Sequence, residues 1–206
     1  MEIIKVEDPQ AVSKAVKVLQ GGGVILYPTD TLYGLGADAT SREAIATIYT
    51  IKGRHEKKPL HAIVTDMDMA NAYGEVNEKA FALACAFLPG PLTLVLRKHA
   101  DVYIAMSEGR DEFAIRIPDN QFCLELARQF GKPYTTTSAN ESGKEPARTV
   151  ENILAQLGDR ASMIDLVIDA AELPERLPST IVDVTMRQAR IIREGAIPAS
   201  DILHSL

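Results

Sequence analysis

The sequence predicts a single-domain α/β fold, in which helices accompany a sheet of mixed parallel and antiparallel strands. Short β-type runs are interspersed with longer segments whose apolar residues recur at helical spacing. The runs near 92–96 and 113–117 are joined without an obvious helix, and those near 180 and 190 by a short turn, which favours antiparallel pairs. No repeat, low-complexity tract or linker divides the chain, so we expect one domain over residues 1–206.

Each element is predicted from its spacing and its end signals. Helices are predicted where an apolar face follows a capping residue or ends at Gly or Pro: from a cap at Asp8 to Gly21, from a capping box at Thr40 to Ile51, and over 77–88, 120–130 and 149–157. Strands are predicted at 24–27, 60–64, 92–96, 113–117, 134–137, 166–169, 180–184 and 189–193. We interpret 170–178 as an exposed acidic loop and the last ten residues as weakly structured.

Composition and charge exclude several classes of protein. Hydrophobic residues make up 46% and charged residues 24%, which is ordinary for a globular chain with a substantial core. No apolar run reaches the roughly 18 residues of a membrane-spanning helix, and no secretory signal opens the chain. We therefore expect a cytoplasmic protein without a membrane partner. The net charge of −6 argues against broad, non-specific nucleic-acid binding, but it is compatible with a local basic cleft.

Cysteine and histidine usage does not indicate a metal site. Cys85 and Cys123 lie in apolar, helix-like stretches, and we interpret them as reduced core residues, with a disulfide as the alternative. The chain has no CxxC motif and no histidine cluster at metal-ligand spacing. We therefore assign no metal-ligating side chains.

Polar residues follow the first predicted strand, in the stretch GGGVILYPTDTLYGLG over 21–36. Pro28 marks the point where the strand leaves its sheet, and Thr29, Asp30 and Thr31 come directly after it. In open α/β sheets, ligands bind at this carboxyl end of the strands. The alternative is a strand-to-loop turn whose polar residues serve only the turn.

A second polar region is the basic run Lys52, Arg54, Lys57 and Lys58. Gly53 and Pro59 interrupt the helix there, which favours a loop that presents cations to a polyphosphate. A solvated helix end, where cations complement the helix dipole, is the alternative. The chain has no GxxxxGK[ST] motif, so a nucleotide site would be of another type.

Two later strands carry further polar side chains. Arg116 lies between Ile115 and Ile117 in an apolar strand, so it is either ion-paired or positioned to bind an anion. Thr136 and Ser138 alternate onto one side of their strand, where hydroxyls could bind phosphate or ribose, or form a polar turn.

Seven motifs stand in one order along the chain: YPTDTLYGLG, KGR followed by KPL, LPGPLTLVL, AIRIP, TTSAN-x-SG, STIVDV and IIREG. In this order they resemble the threonylcarbamoyl-AMP synthase family (TsaC/Sua5/YrdC), from about Gly21 to Gly195. The chain is similar to the short, single-domain type. The resemblance implies a YrdC-like α/β fold, in which an open, twisted, mixed sheet with flanking helices surrounds a large basic cavity.

The resemblance also implies a reaction. L-Threonine, bicarbonate or CO2, and ATP would give L-threonylcarbamoyl-adenylate and pyrophosphate, with Mg²⁺ helping to offset phosphate charge. The product would supply the threonylcarbamoyl group of adenosine 37 in tRNA, through threonylcarbamoyl-transfer proteins that receive it. Weak direct binding of tRNA or double-stranded RNA is compatible with this role.

Residue roles follow from the match to the family's motifs. Lys52 and Arg54 match its Lys-x-Arg pair, and Ser138 and Asn140 its Ser-x-Asn pair, which together resemble the catalytic, ATP-handling core. Further ATP contacts would come from Lys58 and Arg193. The residues at the family's threonine-binding positions are Thr31, Arg116, Thr136 and Ser179. Arg116 would pair with the amino-acid carboxylate, and positioning and electrostatics would replace a protein nucleophile.

Three positions depart from the family pattern. His55 stands where a proline is common. Ile63 stands where some members carry a histidine near threonine, and His61 lies two residues earlier. Glu194 replaces a frequent proline and would place an acid beside Arg193, as in some paralogues.

Two other functions fit the same motifs. One is a paralogue with another carbamoyl-adenylate or carbamoyl-transfer activity, and the other is a non-catalytic RNA-binding module that uses the basic cleft. The intact Lys-x-Arg and Ser-x-Asn pairs favour the synthase. We expect replacement of Lys52 or Arg54 by alanine to abolish turnover and leave the fold intact, since both are predicted at an exposed helix end.

Overall fold

A ten-stranded sheet crosses the part of the chain that the computed structural model describes, residues 1–53 and 60–206. In chain order the strands are β1 (Glu2–Lys5), β2 (Ile25–Pro28), β3 (Tyr33–Gly36), β4 (His61–Ile63), β5 (Leu92–Arg97), β6 (Glu112–Arg116), β7 (Tyr134–Ser138), β8 (Leu166–Asp169), β9 (Thr180–Asp183) and β10 (Arg190–Arg193). Their order in the sheet is β1-β8-β2-β3-β7-β4-β6-β5-β9-β10. Parallel and antiparallel neighbours both occur, so the predicted mixed sheet is confirmed. The two predicted antiparallel pairs, β5 with β6 and β9 with β10, are present.

Seven α-helices flank the sheet within the same described residues. They are α1 (Ala11–Gln20), α2 (Arg42–Ile51), α3 (Met67–Tyr73), α4 (Glu78–Phe87), α5 (Gln121–Phe130), α6 (Val150–Leu157) and α7 (Ala199–His204). The predicted cap of α6 is confirmed, because the Thr149 hydroxyl accepts a hydrogen bond from the Asn152 amide. Asn77 and Asn120 cap α4 and α5 in the same way.

Two predicted helix caps are wrong. The Asp8 carboxylate accepts a hydrogen bond from the Gln10 amide at 2.8 Å, which forms a turn, and α1 begins only afterwards. At α2 the capping residue is Ser41, whose hydroxyl accepts from the Ala44 amide, while Thr40 bonds to Asp38 instead.

Two strands and two α-helices were not predicted: β1, β3, α3 and α7. The strand β3 lies in the stretch 21–36, where the sequence predicted a single strand. A Cβ at Gly36 would lie 2.8 Å from the Tyr27 ring and 3.1 Å from Ile25, so this glycine permits close packing of β3 against β2.

The two faces of the sheet carry separate apolar cores. On one face, α1 and α5 pack on a core that includes Tyr27, Ile63 and Tyr134. Side chains that alternate to the opposite side of the strands belong to the larger core on the other face; examples are Leu26, Ala62 and Ile115. Cys123 is buried in the first core, but Cys85 is exposed on α4, so the prediction of two core cysteines is wrong for Cys85. Its position on the helix lies outside the apolar stripe that faces the sheet.

Candidate active site

A cleft of about 1080 Å³ is lined by residues of strands β3, β4, β6, β7, β9 and β10, together with the loops that follow α2 and β7. Its lining includes eight of the ten predicted site residues: Thr31, Lys52, Arg116, Thr136, Ser138, Asn140, Ser179 and Arg193. The other two, Arg54 and Lys58, lie outside the described residues, as does His55. The volume matches the upper end of the range for small-molecule sites, roughly 300–1,000 Å³. The motifs therefore converge on one ligand-sized space, while their individual roles stay predictions.

Lys52 follows the last residue of α2 and is only 3% exposed. Its ammonium donates hydrogen bonds to the carbonyl of Ser138 and to the carbonyl and side-chain oxygens of Asn140, the last two at 2.9 and 3.3 Å. The prediction of an exposed helix end is therefore wrong for Lys52. The loop after β7 folds back over the end of α2, where the Ser142 amide also donates to the Lys52 carbonyl at 2.9 Å.

The side chain of Asn140 also holds this loop in place. Its side-chain oxygen accepts from the Ser138 hydroxyl, and its amide nitrogen donates to the carbonyls of Glu141 and Lys144. The side chain is almost fully buried at 7% exposure, while Ser138 is half-buried at the cleft wall. The Ser-x-Asn pair thus holds a preorganised turn at the end of β7, stabilised by Lys52.

Arg116 is buried and forms an ion pair. Its guanidinium donates to the Asp30 carboxylate at 2.6 Å, to the Thr31 hydroxyl at 2.8 Å and to the Gly90 carbonyl at 3.3 Å. The arginine and aspartate side chains are 6% and 5% exposed, so each offsets the desolvation cost of the other. Of the two interpretations left open by the sequence, the structural ion pair is present, and it neutralises much of the charge available to a ligand.

Arg193 faces the same space from β10. It donates to the Ser179 carbonyl at 2.7 Å and to the Ser179 hydroxyl at 3.2 Å, and this hydroxyl bonds to Thr93 at 2.9 Å. Partial burial lowers the pKa of Arg193, and the positive charge of Arg116 lowers it further. The two guanidiniums are both positive and repel each other. An anion bound between them would offset this repulsion.

Glu194 does not direct its carboxylate toward Arg193. Its side-chain oxygen accepts a hydrogen bond from the Ala199 amide at 3.1 Å, at the first turn of α7. No ion pair joins Glu194 to Arg193 among the contacts of the described residues. This departure from the family pattern therefore leaves the charge of Arg193 intact.

The position of Ile63 is apolar because it belongs to the core. Ile63 is fully buried beside Tyr27 and Tyr134, whereas His61 lines the cleft directly opposite Thr136 on β7. Among the described residues the histidine of the cleft wall is thus His61. Thr136 and Thr31 are 7% and 5% exposed, with their hydroxyls at the same wall.

A segment that was interpreted as an exposed loop runs along the cleft. We call residues 172–178 the cleft segment; its lining residues are Glu172, Glu175, Arg176, Leu177 and Pro178. The Tyr33 hydroxyl fixes the chain just before it, accepting from the Ala170 amide and donating to the Ala171 carbonyl, both at 2.8 Å. Ala171 adopts a left-handed φ of 58°, which starts the turn. Burial raises the pKa of Tyr33 to about 12, so its hydroxyl stays protonated as a donor.

A second tie joins the cleft segment to the opposite wall. Glu172 forms an ion pair with Arg148, and the Leu173 amide donates to the Arg148 carbonyl at 3.0 Å. Sequence reasoning missed these residues, because a charged loop between two strands is typical of a solvated turn.

The described residues, 1–53 and 60–206, contain no group of three or more His, Cys, Asp or Glu side chains arranged to hold a metal ion. Within the same ranges, every helix is too short or too polar to cross a membrane.

Comparison with known proteins assigns the chain to a family. The Sua5/YciO/YrdC family model, described as "Telomere recombination", matches residues 17–195. The chain belongs to this family. Another member, a Vibrio vulnificus protein named threonylcarbamoyl-AMP synthase, is 35% identical over 88% of this chain and 97% of its own length.

Solved structures of Sua5/YciO/YrdC proteins confirm the predicted fold class. A crystal structure described as P. abyssi Sua5 complexed with L-threonine matches with a TM-score of 0.88 at 30% identity. It covers 100% of this chain, which spans 59% of that longer protein. The crystal structure of E. coli YciO matches with a TM-score of 0.84 at 27% identity, over 98% of both chains.

Proposed function

We propose that this protein is a threonylcarbamoyl-AMP synthase, which converts L-threonine, bicarbonate or CO2, and ATP to L-threonylcarbamoyl-adenylate and pyrophosphate. The observation that carries the proposal is the meeting of eight motif residues in one cleft, in a chain that belongs to a family with members named for this activity. The P. abyssi relative complexed with L-threonine supports the amino acid as a substrate.

The reaction has two bond-forming steps. With CO2, the threonine amine attacks the carbon and loses a proton, which gives a carbamate. With bicarbonate, the amine attacks the same carbon and a C–O bond breaks, so that a hydroxyl group leaves with the proton as water. A carbamate oxygen then attacks the α-phosphorus of ATP, and pyrophosphate leaves. Neither step needs a protein nucleophile, so the cleft would act by positioning the reactants and by stabilising charge.

The two ends of the cleft suit the two substrates. At one end, the preorganised turn of Ser138 and Asn140, held by Lys52, would bind ATP with Arg54 and Lys58. Arg193, which donates to Ser179, would bind ATP from the place where the two ends meet. At the other end, the hydroxyls of Thr31, Thr136 and Ser179 would bind the polar groups of threonine. Mg²⁺ would enter with ATP, bound mainly by phosphate oxygens and water as is usual for this ion.

The test is pyrophosphate release from ATP, with L-threonine and bicarbonate omitted in turn. We expect release that requires both substrates. Ser138→Ala should lower the rate, because it removes a hydroxyl from the turn that is proposed to bind ATP. Ser162 is exposed outside the cleft lining, and Ser162→Ala should leave the rate unchanged. Release that is indifferent to threonine would contradict the proposed substrate.

A paralogous activity is the second candidate. The match to E. coli YciO over nearly the full length of both chains and the apolar Ile63 favour it. ATP consumption with bicarbonate but without threonine would indicate this carbamoyl-adenylate or carbamoyl-transfer chemistry. Delivery of the product to tRNA-modifying proteins, and a cytoplasmic location, stay predictions.

A further inference from the structure

The cationic side chains that line the cleft differ in how their charge is compensated. Among the described residues they are Lys52, Arg116, Arg148, Arg176 and Arg193. Asp30 pairs with Arg116, and Glu172 pairs with Arg148. Arg176 instead donates to a neutral group, the backbone carbonyl of Asp30, at 2.7 Å. No carboxylate in the described part of the chain lies within ion-pair distance of it.

The position of Arg176 places this charge at the amino-acid end of the cleft. Arg116 holds the side chain of Asp30, and Arg176 holds the main chain of the same residue, next to Thr31. Arg176 also lines a smaller adjoining cavity of about 340 Å³, together with Asp30 and Thr31. The guanidinium therefore lies where the main cleft meets this side cavity.

The charge of Arg116 is already offset in part by Asp30. Three of the five N–H groups of Arg116 already donate, to a carboxylate, a hydroxyl and a carbonyl, so fewer are left for a ligand. Arg176 is exposed to the cleft and uses one of its terminal nitrogens in its single hydrogen bond to Asp30. A planar guanidinium with free N–H groups matches a planar carboxylate or bicarbonate.

We propose that Arg176 is a substrate-binding residue for the carboxylate-type anion at the amino-acid end of the cleft. That anion is the carboxylate of the amino acid or bicarbonate, which share the planar oxygen pair. The inference rests on the proposed function. The ties of the cleft segment, through Tyr33 and Arg148, hold the main chain near Arg176 in place before substrate arrives.

The kinetic test compares Arg176→Gln and Arg176→Lys with Arg187→Gln, an exposed arginine outside the lining of either cavity. We expect Arg176→Gln to raise the KM for L-threonine or for bicarbonate roughly 10- to 100-fold, as loss of a charged hydrogen bond does. The KM for ATP should stay within about twofold, and Arg176→Lys should recover part of the loss. Unchanged KM values for both small substrates, or a rise for ATP alone, would overturn the proposal.

Calorimetric titration of L-threonine and of L-threoninol, which lacks the carboxylate, separates the two anions and does not depend on turnover. If Arg176 binds the amino-acid carboxylate, the wild type should prefer threonine and Arg176→Gln should lose that preference. If it binds bicarbonate, the preference should persist and only the bicarbonate KM should rise. A wild type that binds no threonine would overturn the proposed function and this inference with it. Wild-type binding with identical kinetics and titrations for Arg176→Gln would overturn the inference alone.

Discussion

At the scale of single residues, side chains that were predicted to act in the site also stabilise the fold around it. The sequence motif identified Lys52, Ser138 and Asn140 as a group, and all three line the cleft. It did not indicate that the Lys52 ammonium holds the turn that presents the other two. That role depends on how a loop from β7 folds over α2, which residue spacing cannot show.

Because Lys52 is buried, we expect its replacement to destabilise the protein, unlike replacement of an exposed lysine. Lys52→Met keeps the length of the side chain but leaves the oxygens of Ser138 and Asn140 without their donor. We expect the free energy of unfolding to fall by about 1–3 kcal/mol, together with loss of pyrophosphate release. Urea denaturation measures the first effect. The exposed Lys17→Met should change stability by less than about 1 kcal/mol, and an equally small change for Lys52→Met would contradict the structural role.

The lowered pKa of Asp169 predicts that the stability of the protein depends on pH. Its hydrogen bond from Lys5 holds the pKa of this carboxyl below the ordinary value of 3.8, against the effect of burial, and the Ala171 amide adds to the lowering. A carboxyl whose pKa is lowered by folding contributes stability above its unfolded pKa, and that stability is lost as pH falls through the folded pKa. Asp169→Asn should therefore be less stable than the wild type at neutral pH, by under about 1 kcal/mol because Lys5 is exposed.

Denaturation at a series of pH values tests this account of Asp169. The difference between the wild type and Asp169→Asn should shrink below about pH 4. Lys5→Met should show the same convergence, since it removes the other member of the pair. A difference that stays constant down to pH 2 would assign the effect to packing instead of charge.

At the scale of elements, prediction succeeded where the local signal was long or strongly periodic. The five predicted helices and eight predicted strands are present, with bounds shifted by a few residues. The missed elements are four to seven residues long, and β3 contains two glycines that lower its strand propensity. The path of the cleft segment depends on Tyr33 and Arg148, which lie far from it in sequence, and local patterns cannot reveal such ties.

The end of the cleft segment packs closely against Gly195, after β10. A Cβ at this position would lie 2.7 Å from the carbonyl carbon of Ser179 and closer still to the Pro178 carbonyl oxygen. Both are backbone atoms that cannot move aside alone, and the Ala196 amide bonds to Pro178 at 2.9 Å. Gly195→Ala should therefore displace Ser179, lower the free energy of unfolding by roughly 1–3 kcal/mol and raise the KM for threonine.

The matched control for Gly195 is Gly21, after α1. Gly21 has a φ of −79°, and a Cβ there would meet only ordinary contacts at 3.4 and 3.5 Å. Gly21→Ala should be neutral or slightly stabilising, because it restricts the unfolded chain. Equal stability of the two variants would show that the region around Ser179 adjusts freely.

At the scale of the whole molecule, alternating patterns were enough to predict a mixed α/β sheet, but not its strand order. The chain places β8 between β1 and β2, and it places β7 between β3 and β4. These neighbours are distant in sequence, and one chain carries no direct sign of such pairings. One cooperative domain over residues 1–206 stays a prediction.

Total charge and local charge act in opposite directions on RNA binding. The molecule carries a net charge of −6, while its cleft presents Arg176 and Arg193 without carboxylate partners among the described residues. We expect weak tRNA binding with a shallow dependence on salt, because few lysines or arginines can contact phosphates at once. Binding titrations between about 50 and 200 mM salt measure how much affinity is lost. The loss reaches 10³–10⁵-fold for proteins that contact 6–10 phosphates. A change of that size, reduced by the equivalent of about one phosphate contact in Arg193→Gln, would make the cleft an RNA site and would favour the binding module over the synthase.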